Sequence, residues 1–164
     1  MVCGRNATRA WNRPKTARIR AGAKVGFAPG EPMLPADDYD TPRIYHQGIA
    51  SAWLSKSPVD DLNTYRGDGD WFKIMSVLEP TEQSIDWALP ENKKHQWNFT
   101  IPATTPPGKY LLRFEHIYPN PGPLGAQFYP NCAHVEIFNE RTNVGQPGPL
   151  VKIPGVYVWG QPGE

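Results

Sequence analysis

The stretch PGKYLLRFEHIYPNPGPLGAQFYPNCAHVEI, residues Pro107–Ile137, decides the fold. Pro106-Pro107-Gly108 turns the chain into a run in which Tyr110, Leu112, Phe114 and His116 share one face of a strand. Leu111, Arg113, Glu115 and Ile117 share the other. A proline- and glycine-rich loop follows. Phe128-Tyr129 and the run from Ala133 to Phe138 then give a second pair of strand signals. Gln127 and Tyr129 are two apart, so on a strand they project from one face.

Outward from this hairpin the chain keeps the same character. Thr16–Arg20 and Lys24–Phe27 flank Ala21-Gly22-Ala23 and read as two strands or one bent strand. Residues 28–43 hold four prolines and three aspartates and read as a loop. Ile44–Leu54 is a strand candidate that carries His46 near its start. Ser57–Asp70 is an Asp/Gly loop, Trp71–Met75 a strand, and Gln96–Ile101 an alternating strand stopped by Pro102. The tail from Asn139 is mostly loop. The 19 prolines and 15 glycines exclude a helical bundle, and no long helical period appears. The expected fold is all-β: one antiparallel, immunoglobulin-like or fibronectin-like β-sandwich with long loops, spanning residues 1–164 as a single domain.

Charge excludes some functions. Lys plus Arg (17) nearly balances Asp plus Glu (16), which argues against nucleic acid as a partner. The basic cluster at Arg5, Arg9, Arg13, Lys15, Arg18 and Arg20 reads as a solvated loop and strand. No run is long and apolar enough to span a membrane. Met1 is followed closely by Cys3, Arg5 and Arg9, which is not a secretory leader. Cys3 and Cys132 fit either two reduced core thiols or one bridge of a secreted protein. Two sequons, at Asn6 and Asn98, favour the secreted reading.

Candidate chemistry is sparse. There is no G-x-S-x-G motif and no marked carboxylate pair. Asp68-Gly69-Asp70 lacks calcium-loop spacing and reads as a turn ahead of a buried strand. His95 sits beside two lysines, and His116 and His134 read as strand-face residues without metal-ligand spacing. His46, in Ile44-Tyr45-His46-Gln47-Gly48, follows a loop at the start of a strand.

These segments, in this order, resemble auxiliary activity family 9, the fungal copper-dependent lytic polysaccharide monooxygenases. The resemblance is carried by Cys3 with the early strands to Phe27, by Ile44-Tyr45-His46-Gln47-Gly48, by Trp53-Leu54-Ser55-Lys56 and by Gly67–Ile74. It continues through Pro107–Arg113, Ala126–Ala133 and Pro149–Tyr157, and so covers nearly the whole chain. It implies an extracellular, monomeric enzyme with one copper ion. Such an enzyme cleaves cellulose or a related β-glucan oxidatively at C1 or C4, using an external electron donor. By resemblance His46 is a copper ligand, Tyr129 the axial tyrosine, Gln127 a glutamine beside the oxygen site, and Cys3–Cys132 the core disulfide. Tyr157 and Trp159 are candidate platform aromatics or packing residues.

The chain departs from the family's pattern in three places. Family members begin with a histidine whose amine and imidazole both bind copper, and a longer segment precedes the cysteine matching Cys3. Asn120 stands where many members carry a further histidine. The chain also stops before a segment bearing a platform tyrosine. The expectation is therefore a chain truncated at the N-terminus and at the C-terminus, and inactive as written. The alternative is a non-catalytic secreted β-sandwich that binds polysaccharide or a cell surface.

Overall fold

The computed structural model describes residues 1–5, 7–30, 44, 46–78, 96–120, 122–123 and 125–158. Among these residues a short 3-10 turn, Ala7–Arg9, precedes seven strands: β1 Ala17–Arg20, β2 Lys24–Phe27, β3 Ile49–Lys56, β4 Phe72–Val77, β5 Trp97–Thr100, β6 Gly108–Tyr118 and β7 Gln127–Phe138. They form a five-stranded sheet in the order β1-β7-β6-β3-β4 and a two-stranded sheet, β2-β5. All pairings are antiparallel except β1 with β7. The architecture is the expected all-β sandwich.

Two strands differ in extent from the sequence reading. Phe128-Tyr129 and Ala133–Phe138 are one continuous strand, β7, which runs through Pro130. Proline removes a ladder donor and belongs on edges. It is accommodated because β1 pairs only with Val135–Phe138, so β7 is an edge strand at Pro130, with β6 on one side alone. β3 begins at Ile49 rather than Ile44, and His46 lies in a bend ahead of it. Gly48 is the reason. Its φ is +140°, and a Cβ there would sit 1.9 Å from the Ile117 carbonyl oxygen, so the backbone at Gly48 is pressed onto β6 in a conformation that L side chains rarely adopt.

The β6 alternation buries both faces of the strand. Face A carries Tyr110, Leu112, Phe114 and His116 and packs against the small sheet. There the Phe27 ring stacks on Phe114 at 5.4 Å, and Trp97 meets it edge-on at 5.3 Å. Ala52, Leu54, Phe99, Ile101, Val135 and Ile137 complete this core. Face B carries Leu111, Arg113, Glu115 and Ile117, and loops rather than a sheet cover it. Trp11, Trp53, Leu62, Tyr65, Trp71 and Ile153 pack there with Cys3. The three indole N–H groups are satisfied, by the Tyr65 carbonyl, the Ser51 hydroxyl and the Gly67 carbonyl.

Two features fasten face B. Cys3 and Cys132 are joined in a disulfide across a sequence separation of 129, a span worth ~4 to 5 kcal/mol in the chain-entropy picture. Beneath it lies an ion pair between Arg113 and Glu115, only 2% and 0% exposed. Arg113 Nε donates to the Val2 carbonyl at 2.7 Å, and the Tyr157 hydroxyl donates to Glu115 Oε2 at 2.5 Å. Burial, followed by the neighbouring Glu115, pushes the Tyr157 phenol well above its ordinary pKa, so this hydroxyl remains a donor at neutral pH. Removing one partner of a buried pair leaves the other charge uncompensated. Glu115→Gln is therefore expected to lower unfolding free energy by about 3–5 kcal/mol, measurable by urea denaturation. A loss below about 1 kcal/mol, the scale of an exposed pair, would show that the charge is solvated.

Candidate functional site

At one end of face A the core gives way to a cluster of polar rings. The β6–β7 register sets Tyr118 opposite Gln127 and His116 opposite Tyr129, so all four side chains leave the same face of the sheet. Tyr129 is 42% exposed, and its hydroxyl donates to Gln127 Oε1 at 2.5 Å. The bend ahead of β3 lays the half-buried His46 ring onto this face. Its ring stacks on Tyr118 at 4.5 Å and 11°, and on Tyr129 at 5.5 Å and 24°. His116, 4% exposed, lies against Tyr129 at 5.9 Å and 22° and against Trp97 at 5.8 Å.

Burial lowers the pKa of both imidazoles. His46 is shifted down by desolvation alone. His116 is lowered to about 4, chiefly by desolvation and then by His46, with a hydrogen bond to the Gln47 backbone opposing the shift. Both rings are therefore neutral at pH 7, the form that offers a nitrogen lone pair to a metal.

The structure thus brings together His46, Gln127 and Tyr129 of the residues singled out in the sequence. Tyr157 is placed elsewhere, on face B, held by Glu115 and packed on Phe128 at 5.5 Å. Asn98 is exposed on the outward side of β5. Trp159, Asn6 and His95 lie outside the described residues. Asn120 does not supply a stand-in for a histidine: its Oδ1 accepts from the Gly122 amide, closing its own loop. His134 is buried near Trp11, remote from His46 on face B. His116 and Tyr118 were not among the expected site residues. The signal for them was the face they share with Tyr110 and Phe114, but only the register of β7 shows that this face is also that of Gln127 and Tyr129.

Copper accepts imidazole nitrogen readily. His46 offers one such nitrogen at the mouth of the cluster and Tyr129 offers a phenol oxygen. Among the described residues no three His, Cys, Asp or Glu side chains converge on a metal position. Met1 is on the other side of the sheet, lining a face B cavity of about 300 Å³ with Phe128 and Tyr157. The described residues therefore match part of a copper donor set and do not complete it.

Two expectations follow from this geometry. A histidine held neutral in the folded state but free to protonate when unfolded makes the unfolded chain bind more protons between its two pKa values. Stability should thus be full above pH ~6.5, the ordinary histidine value, and should fall as pH drops toward about 4, the folded value for His116. The His116 share of that loss is about 3 kcal/mol. Unfolding curves across this range should show the slope in the native chain and a shallower one in His116→Phe; equal slopes would contradict the assignment. Gly48→Ala should cost about 2–4 kcal/mol in the same assay, and a neutral effect would mean that the bend ahead of β3 is not held as described.

The model of Auxiliary Activity family 9 (formerly GH61) matches residues 1–164. The chain is 41% identical over 164 residues to AA9 family lytic polysaccharide monooxygenase U of Thermothielavioides terrestris, covering 99% of this chain and 59% of that protein. It is 36% identical to AA9 family lytic polysaccharide monooxygenase G of Aspergillus tamarii, covering 94% of this chain and 45% of that one. Among solved structures it resembles HiLPMO9B (TM-score 0.68, 25% identity, 91% of this chain and 63% of that chain). It also resembles CvAA9A (TM-score 0.60, 26% identity, 91% and 67%). The chain spans about half the length of the relatives it matches. By the family match over every residue, and by its identity to these relatives, the chain belongs to Auxiliary Activity family 9.

Proposed function

We propose that this chain belongs to a secreted, monomeric, copper-dependent polysaccharide monooxygenase acting on cellulose or a related β-glucan. The observation that carries the reading is the convergence of His46, Tyr129 and Gln127 on one end of face A, in a chain that belongs to this family. His46 acts as an imidazole ligand, kept neutral by burial. Tyr129 acts as a weaker oxygen ligand, its hydroxyl oriented by Gln127. Gln127 supplies an amide beside the reacting position. Residues 1–164 act as one domain, and the Asn6 and Asn98 sequons are glycan acceptors in the secreted protein. Cleavage at C1 or C4 of the glucan is the expected outcome of the oxidation, and reducing equivalents come from an external donor.

The described donors do not complete the coordination of a copper ion. The same observation implies that the 164 residues by themselves bind copper weakly and do not cleave cellulose. Incubation with copper, a reductant and cellulose, followed by mass spectrometry of the soluble products, separates the cases. The full-length protein isolated from its natural source should release oxidised oligosaccharides, and His46→Ala should abolish them. The 164-residue chain should release none. A full-length protein that yields no oxidised product would sink the enzymatic reading.

A second reading, a non-catalytic β-sandwich that binds polysaccharide or a cell surface, is favoured by the incomplete donor set alone. It would gain support if the full-length protein were retained on cellulose with and without copper and yet oxidised nothing.

A further inference from the structure

We propose that a groove at the far end of the sheet from His46 is a second glucan-binding site, an anchor rather than a cleavage position. The groove holds about 470 Å³ and is bounded by the ends of β3, β6 and β7 and by the loop 57–60. Its charges are balanced: Lys56 and Lys109 face Asp60 and Glu136. They are not all paired. Lys109 Nζ binds both the carboxylate and the carbonyl of Asp60, each at 2.8 Å. The half-buried Glu136 stands between Lys109 and Arg18 in the ladder, and both cations are engaged elsewhere. Arg18 lays its guanidinium over the Phe138 ring at 4.7 Å. Among the described residues neither the Glu136 carboxylate nor the Lys56 ammonium has an ion pair or hydrogen bond. Gly108 gives Lys56 its place, since a Cβ there would stand 2.8 Å from Lys56 Cε.

One unpaired anion and one unpaired cation in the same groove select a ligand that can both donate and accept. A hydroxyl does both, and neighbouring hydroxyls of one sugar can donate to Glu136 and accept from Lys56. Hydrogen bonds to charged groups are the stronger kind. A simple ion would satisfy one of the two charges and be repelled by the other. The remaining wall is apolar: Pro58, Val59, Pro107 and Phe138 offer surface to the C–H face of a sugar ring. The ligand class is therefore a neutral polyol. The groove lies at the Gly108 end of β6 and the ring cluster at the Tyr118 end. Over the 11 residues of this strand the two are separated by roughly 33 Å. A glucan held in the groove is thus well away from His46, which makes the groove an anchor.

The choice of glucan as the polyol rests on the polysaccharide reading above, and the test needs no copper. Cellohexaose, a soluble uncharged β-glucan, is titrated into the isotopically labelled protein while amide resonances are followed at both ends of the sheet. The expected result is saturable shifts at residues 57–60, 108–109 and 136–138. Lys56→Met and Glu136→Met keep bulk and remove the unpaired charges. Each should weaken this binding about tenfold, the scale of one hydrogen bond to a charged group. Lys56 is exposed, so K56M decides should E136M fail to fold. Shifts confined to the His46 end would leave the polysaccharide reading standing and overturn the second site; shifts at neither end would count against both. Undiminished binding in K56M, or binding of the zwitterion glycylglycine in the groove as tight as that of cellohexaose, would also overturn the assignment. The same titration on the full-length protein must reproduce the groove shifts, and a silent groove there would sink the proposal.

Discussion

A one-residue slip of β7 against β6 would move Tyr129 and Gln127 to face B and Cys132 to face A, because side chains alternate along a strand. The disulfide to Cys3 would then be unreachable and the ring cluster around His46 would lose two of its members. The register of this one antiparallel pair therefore decides both the core and the site. It is pinned from both sides. On face A, Tyr110, Leu112 and Phe114 fit against the small sheet. On face B the bridge at Cys132 and the packing of Leu111 permit only one alignment.

The two faces solve different problems. Face A is dry and aromatic until its end, where His116, Tyr118, Gln127 and Tyr129 replace aliphatic residues and the surface becomes polar. Among the described residues face B has no second sheet; the segment from Cys3 to Trp11, the loop bearing Leu62 and Tyr65, and the segment at Ile153 cover it. Such a cover brings backbone carbonyls and hydroxyls with it, which is why Arg113 and Glu115 are tolerated there, met by Val2 and Tyr157. Tyr157 thus serves the interior of face B, with part of its ring exposed beside Phe128. The site on face A and this polar network on face B are separated by the thickness of the sheet, and Met1 belongs to the second of them.

Much of the fold was legible because alternation in Lys109–Ile117 and the turn at Pro106-Pro107-Gly108 are local signals. Strand limits were less so. The start of β3 depends on Gly48 lying against Ile117, a contact far apart in sequence, and the continuity of β7 through Pro130 depends on how far β1 reaches. Of the site, His46, Gln127 and Tyr129 were reachable through short motifs and family resemblance. His116 and Tyr118 were not, since nothing around them in sequence has metal-ligand spacing and their relation to Tyr129 exists only in the ladder. The burial of both Arg113 and Glu115 was equally hidden, because a period of two separates the faces of a strand without saying what covers each.

The proposed function places copper binding at the ring cluster at the end of face A. Substoichiometric copper(II) added to the isotopically labelled chain tests it most directly, since paramagnetic broadening reports even weak and partial binding. The account predicts broadening confined to His46, Gly48, Tyr118, Gln127 and Tyr129. Broadening centred on His134 or on the Met1 end of face B, with His46 left sharp, would contradict it.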